Sequence, residues 1–345
     1  MKHVHDPTSM TKARTASPPP TNVDVAIIGA GTAGLMAGAA LSTRGVRVAL
    51  FDPHYVAGGC ATQFSRGSNL DRYCFDIGLH YVGDCGPAGV MPKLLEGVGV
   101  NVDFESMDRD GFDTLIFPDL RFQIPANLEL YRERLLDLFP AEKRGIDRYV
   151  QLVEQVGRIG QRIENNGGKL SLRTLVEIVT SGRTLAFNQK ATMKQFLDGC
   201  TQDPKLRAVI LGQNGDYALP PSEVAAVLHC GLAAHYFKGA YYPRGGGQII
   251  SDRLAESIEA RGGSIHLRCG IETILVEDGR AVGVRTEERR GTQHEVRAKC
   301  VLSSADLKRT LLELLPRDHL PSAWRKRTDA YQMAGALFMT FLGVE

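Results

Sequence analysis

The chain has 345 residues, 43% hydrophobic and 23% charged, with a formal net charge of +2. That length holds two domains with sizeable cores, and the near-neutral balance gives no electrostatic case for nucleic acid or a strongly acidic partner. The seven cysteines (Cys60, Cys74, Cys85, Cys200, Cys230, Cys269 and Cys300) are odd in number and scattered, with no CxxC pair. They fit reduced thiols in a cytosol and argue against a disulfide framework or a structural metal site. No apolar run approaches the length of a membrane span.

Residues 1–20 are Ser, Thr, Pro and charge, ending in Pro18-Pro19-Pro20, with no apolar core of signal-peptide length. They read as a disordered leader in which His3 and His5 are inert and Met10 is an alternative start. Residues 23–52, VDVAIIGAGTAGLMAGAALSTRGVRVALFD, then give a βαβ pattern. Residues 23–28 form an apolar, β-branched run suited to a buried parallel strand. Gly29, Gly31 and Gly34 follow at G-x-G-x-x-G spacing, for a tight turn, a close backbone approach to a pyrophosphate, and close helix–strand packing. The helix starting near Thr32 and Ala33 aims its positive end and free N–H groups at phosphates. Its face of Leu35, Met36, Ala39 and Ala40 points to the sheet. Residues 47–51 read as the second strand. Asp52 ends it, where a carboxylate can accept hydrogen bonds from ribose hydroxyls. A lone GxGxxG would be weak; strand, glycines, helix, strand and terminal acid in order are specific for a dinucleotide.

A Gly-Gly turn, VAGGCATQF, comes next, then the apolar, aromatic CFDIGLHYV. Between residues 103 and 239 the pattern is mixed, with short strands at 114–117 and 121–124 and amphipathic helices at 128–139 and 146–163. This stretch interrupts the nucleotide domain and reads as a substrate or cap domain. Gly245–Gly247 lead into a helix with Ile250, Leu254 and Ile258 stacked at i, i+4, i+8, which Gly262 and Gly263 stop. Strands follow at 264–268, at 273–276 and 281–284 around the Asp278-Gly279 turn, and at 296–302. Residues 336–344, ALFMTFLGV, form an apolar, strand-like run expected to pair with neighbours.

On GAGTAG with Asp52, AGGCATQF, YCFDIGLHYVG, GDYALPPSEVA, HYFKGAYYPRGGG and ILVEDGRAVGV, the chain resembles the phytoene desaturase, carotenoid isomerase and retinol saturase family of FAD-dependent, amine-oxidase-like flavoproteins. The resemblance implies an α/β fold: a Rossmann-like FAD-binding domain with a β-meander (21–102 and 240–310), an inserted α+β substrate domain (103–239), and the start of a second substrate segment at 311–345. Family members continue past this point to a flavin-contacting Gly-rich segment, so the chain reads as a fragment or a truncated member.

The resemblance also implies roles for particular residues. Gly58, Gly59 and Ala61 would bring backbone N–H groups to the pyrophosphate. Arg66 either adds charge there or is a surface arginine. Ile271 either holds the adenine through its backbone or is a plain core residue. Arg244 and the loop containing Gly246 would pass close to the isoalloxazine. His80 and Tyr81 are the candidates for groups near the reacting end, set against the commoner buried, satisfied histidine. His229 and His235, six apart on one helix, suit core or cap positions better than shared metal ligation, and Tyr241 and Tyr242 either line an apolar tunnel or pack. The implied chemistry is hydride exchange between FAD and a conjugated isoprenoid, with NAD(P)H an expected electron donor. The polyene partner would be met at a membrane surface by a cytoplasmic protein. The alternatives are a redox-neutral polyene isomerase and a non-catalytic isoprenoid-binding protein on the same fold.

Overall fold

The computed structural model describes residues 18–67, 73–169, 171–180, 182–288 and 291–344; most of the expected leader, with His3, His5 and Met10, lies outside them. The first unit forms as its pattern requires: β1 (Asn22–Ile28), α1 (Thr32–Ser42) and β2 (Val48–Asp52). Ala26, Ile27, Ala49 and Leu50 are fully buried, as strands covered on both faces must be. β3 (Gln63–Arg66) and β4 (Tyr73–Asp76) pair as an antiparallel hairpin, and the two-residue β5 (Val82–Gly83) precedes α2 (Val90–Glu96).

The chain then leaves this unit through β6 (Phe104–Ser106) and the hairpin of β7 (Asp113–Phe117) and β8 (Leu120–Ile124). Helices α3 (Leu128–Leu138), α4 (Lys143–Asn165), α5 (Leu172–Thr180), α6 (Arg183–Asn188), α7 (Met193–Asp198), α8 (Pro204–Ile210) and α9 (Ala226–Tyr236) follow. Asn127 caps α3 by accepting from the Leu130 N–H at 2.9 Å, and Thr192 with Gln195 forms a capping box on α7. On α4, Ile146, Tyr149, Val150 and Val153 recur at helical spacing and are buried. They meet Cys230 and Ala233 of α9 in a core of their own, separate from that of the nucleotide-binding unit.

The return runs through β9 (Ala240–Pro243), α10 (Gln248–Glu259), β10 (Ser264–Leu267), β11 (Ile271–Glu277), β12 (Arg280–Thr286) and β13 (Glu295–Ser303), then a π-helical turn over Arg309–Leu314 and α11 (Ser322–Asp329). The main sheet has the order β10-β2-β1-β13-β12-β11, parallel from β10 to β13 and antiparallel across the last three strands. Asp278 and Gly279, at φ 47° and 73°, form the left-handed turn between β11 and β12 that Asp-Gly favours. Leu35 and Ala39 of α1 and Leu254 and Ile258 of α10 cover one face of the sheet. β9 pairs with both β5 and β6, so a small three-stranded sheet ties the helical region to the nucleotide-binding unit.

Residues 336–344 do not form the expected strand. They run without regular secondary structure, Phe338 is 96% exposed, and they pack on the β3–β4 hairpin through the Phe341 ring, 4.9 Å from Phe64 and 5.4 Å from Phe75. An apolar run becomes a strand when a partner edge accepts its N–H and C=O groups; here aromatic packing substitutes for a ladder.

Buried His229 shows how the helical region depends on pH. Its Nδ1 shares a hydrogen bond of 2.7 Å with the Tyr217 hydroxyl, and burial pushes its pKa down to about 4. The folded state therefore binds fewer protons than the unfolded chain between about 4 and 6.5, and the associated stability is present above 6.5 and lost as pH falls through that window. The shift corresponds to about 3 kcal/mol. Urea unfolding at pH 7 and pH 5 should show a loss of about 2 kcal/mol, the rest falling below pH 5, and His229→Gln should flatten the slope.

Candidate functional site

The glycine-rich turn after β1 is built from short backbone bonds. The Gly29 N–H donates to the Phe51 carbonyl at 2.8 Å, the Ala30 N–H to Asp52 Oδ2 at 2.8 Å, and the Gly58 N–H to the Ala30 carbonyl at 2.7 Å. The two glycine segments thus lie side by side, with Gly31 and Gly58 forming a parallel bridge. The fold itself dictates two of the three fingerprint glycines. A Cβ on Gly34 would sit 2.1 Å from the Gly29 carbonyl oxygen, and one on Gly29, at φ +97°, would sit 2.7 Å from Ser304 Oγ. Gly31 differs: its φ is −72°, and a Cβ would meet only the Gly59 Cα at 3.9 Å.

Around Gly31 opens a cleft of about 390 Å³. Gly31, Thr32, Ala33 and Ser304 form one wall, Gly58, Cys60 and Ala61 another, and Gly78, Leu79 and Tyr81 the third. Ser304, beyond the end of β13, has no signature in the sequence; its Oγ donates to the Ile28 or Gly29 carbonyl, each at 3.1 Å, and so pins the turn. Asp52 is half-buried and accepts from the Ala30 and His54 N–H groups, each at 2.8 Å. A carboxylate has about four acceptor positions, so two bonds leave it capacity for ribose hydroxyls. Beside it a second cleft, of about 440 Å³, is lined by His54, Tyr55, Arg268, Gly270 and Glu287. Ile271 follows this cleft in the chain, with its side chain buried in the sheet core.

The Gly-Gly turn is held from behind by α10. Gln248, fully buried, donates through Nε2 to the Ala57 carbonyl at 2.8 Å and accepts from the Gln63 N–H at 3.2 Å. Asp76 accepts from the Gly247 N–H at 2.9 Å and from the Tyr242 hydroxyl. Gly246 is required by its backbone, at φ +92°, and a Cβ there would also displace the Gln63 amide, 1.9 Å away. Arg244 is exposed and paired with Glu105. Arg66 is exposed, caps the Phe64 ring at 4.9 Å and does not line the cleft. Sequence reasoning missed the roles of Gln248 and Asp76, which lie far apart in the chain.

His80 is exposed, whereas Tyr81 is half-buried on the cleft wall. The Tyr81 hydroxyl donates to Asp113 Oδ2 at 3.0 Å and accepts from Gln213 Nε2 at 3.0 Å; the Tyr236 hydroxyl donates to Asp216 Oδ2 at 3.1 Å. Burial, reinforced by the Asp216 charge, pushes the Tyr81 hydroxyl well above the usual phenol range, and burial pushes the Asp216 carboxyl up. These tyrosine–carboxylate bonds were not apparent in the sequence, where Asp113 and Asp216 are 103 residues apart. His229 lies in the helical core and His235 Nε2 accepts from the Gly83 N–H at 3.0 Å, so the two do not converge. Among the described residues no group of three or more His, Cys, Asp or Glu could hold a metal ion.

Residues 32–341 match the model of the flavin containing amine oxidoreductases. The chain belongs to that family. It is 28% identical to the all-trans-retinol 13,14-reductase of Danio rerio over 96% of this chain and 55% of the relative. Identity to the chloroplastic prolycopene isomerase of Daucus carota is 26%, over 93% and 52%. The chain thus spans about half the length of these curated relatives. A solved oxidoreductase from Methanosarcina mazei shares the fold, with a TM-score of 0.61 at 19% identity over 90% of this chain and 65% of that one.

The residues present fit the family's flavin. Gly31 leaves room beside the N-terminus of α1, the Gly58–Gly59 turn faces it, and Asp52 retains acceptor capacity. Because the fold makes no demand for glycine at 31, Gly31→Val should preserve the thermal unfolding transition and abolish flavin binding, read by fluorescence titration with FAD. Gly34→Ala, in contrast, should destabilise the fold itself.

Proposed function

We propose that the chain is an FAD-dependent oxidoreductase that reduces or desaturates a conjugated isoprenoid, a retinoid or carotenoid. The observation that carries the cofactor assignment is Gly31: a glycine that no intramolecular contact requires, at a helix N-terminus opposite a second glycine turn, two strands' ends away from a carboxylate suited to ribose. Gly31, Thr32, Ala33 and Ala61 would hold the pyrophosphate through backbone N–H groups and the end of α1. Gly29 and Gly34 shape the turn, Gly58 and Gly59 form its opposite wall, and Asp52 would hold the ribose. Bound FAD supplies hydride exchange at N5.

The substrate class rests on the relatives named for retinol and prolycopene, with Tyr81 the aromatic side chain that lines the cleft, packed from behind on buried Phe112 and Tyr236. The role of this chain is to position a polyene and exclude water, with NAD(P)H as electron donor and the substrate delivered from a membrane surface. No helix among the described residues is long and apolar enough to cross a membrane. The prolycopene isomerase relative favours one second reading, redox-neutral isomerisation, which the mass of the product distinguishes.

The purified chain should bind FAD, read by its visible spectrum and by chromatography of the released cofactor, and all-trans-retinol or a carotene should perturb the flavin fluorescence. A colourless protein that ignores added FAD would overturn the cofactor assignment, and a preference for small polar amines would overturn the substrate class.

A further inference from the structure

The helical region turns apolar side chains outward on two neighbouring helices, α5 and α6, which pack on each other and on α4. On α5, Thr174 is buried and Ile178 packs on the helical core, while Leu172 and Val176, one turn apart on the opposite face, are 82% and 60% exposed. On α6, Leu185 is buried and Phe187 is 81% exposed. The backbone beneath Phe187 is anchored: the Leu185 N–H donates to Gln155 Oε1 at 2.9 Å, and the Thr184 hydroxyl to Gln151 Oε1 at 2.7 Å. Three large apolar side chains left in water on fixed helices forgo the burial that drives the rest of the fold.

Basic residues frame them. Lys169 precedes α5, Arg183 lies one turn before Phe187, and Lys190 follows α6; all three are exposed, and among the described residues none is paired with a carboxylate. Residues 158–190 hold six Lys or Arg and two Asp or Glu, a net +4 in a chain whose total is +2, so everything outside the segment sums to −2. A second copy of this chain docking face to face would set these cations against one another. Anionic headgroups over an apolar interior complement both features at once. We infer that the surface of α5 and α6 docks the protein on an anionic lipid bilayer. Leu172, Val176 and Phe187 enter the interface, and Lys169, Arg183 and Lys190 meet lipid phosphates. The inference rests on the polyene reading above for its purpose, since it gives membrane delivery of the substrate a place on the protein; the attachment itself requires neither flavin nor substrate.

Sedimentation of the full chain with vesicles, without flavin, tests the docking. The chain should bind mixed phosphatidylglycerol–phosphatidylcholine vesicles, bind pure phosphatidylcholine far more weakly, and be released by high salt. Leu172→Ser and Phe187→Ser should each weaken partitioning about tenfold, and Arg183→Gln and Lys190→Gln each about fivefold. All four positions are exposed, so thermal unfolding should be unchanged. Phe187→Trp combined with Trp324→Phe leaves one tryptophan in the chain; its emission should move to the blue on anionic vesicles and be quenched by brominated lipid. Should a serine variant fail to fold, this reporter decides. A wild type that stays in the supernatant, equal binding by wild type and variants, or a reporter that remains in water would overturn the proposal. So would a concentration-dependent dimer that the same variants dissolve while no vesicle is bound. A chain that docks and transforms no polyene overturns the substrate reading and leaves the docking surface standing; one that transforms a detergent-solubilised polyene and ignores vesicles does the reverse.

Discussion

The close approach of α1 to β1 at Gly34 is the constraint on which the rest of the site depends. With 2.1 Å between a Cβ there and the Gly29 carbonyl oxygen, any side chain would lever the helix off the strand. Once the helix is seated, its first turn faces the Gly58–Gly59 loop, and the Ala30–Asp52 bond locks the turn to the end of β2. Leu35 and Ala39 then fall onto the sheet against Leu254 and Ile258, so the packing of α10 follows from the same contact. That helix carries Gln248, whose amide grips Ala57 and Gln63 on either side of the Gly-Gly turn. A backbone clearance at one glycine is thereby transmitted, through a helix face and a buried amide, to the opposite wall of the cleft.

The two ends of the cleft use different chemistry, and their origins in the chain differ accordingly. At the nucleotide end the tools are backbone N–H groups, a helix terminus and one acid, all within residues 29–61. These are local, so they are legible: the strand, glycine spacing, helix and terminal Asp52 each leave a mark in the sequence. The meander was legible for the same reason, since Asp278-Gly279 and alternating strands dictate it. At the other end the tools are side chains contributed by β7, the 3-10 turn and α9. Tyr81, Asp113, Asp216 and Tyr236 meet only after the helical region has folded on its own core, and no local pattern encodes that meeting. Ser304 and Gln248 were hidden in the same way, as were the aromatic contacts that residues 336–344 make in place of a ladder.

Glycine offers a sharper reading than motif spacing once side-chain clearances are available. Gly246 lies in a segment that resembles a flavin-contacting loop, yet its left-handed φ of +92°, with Gln63 against it, already accounts for glycine there. Gly29 and Gly34 are likewise accounted for by the protein's own atoms. Gly31 is not, because its backbone is extended and its surroundings are open. Where folding demands nothing, a glycine at the end of a helix dipole is best explained by what must approach it.

The junction between the two regions is where position and reactivity meet. β9 pairs with β5 on one side and β6 on the other, and the Gly83 N–H bonds His235 of α9, so the segment carrying Tyr81 is held by both regions at once. Tyr81 therefore cannot shift relative to the glycine turn without disturbing this small sheet, nor relative to Asp113 and Gln213 without breaking bonds to the helical region. Its phenol lines the cleft, and its hydroxyl is held by Asp113 and Gln213. A phenol fixed from both regions is thereby set against a wall of backbone amides that favours anions.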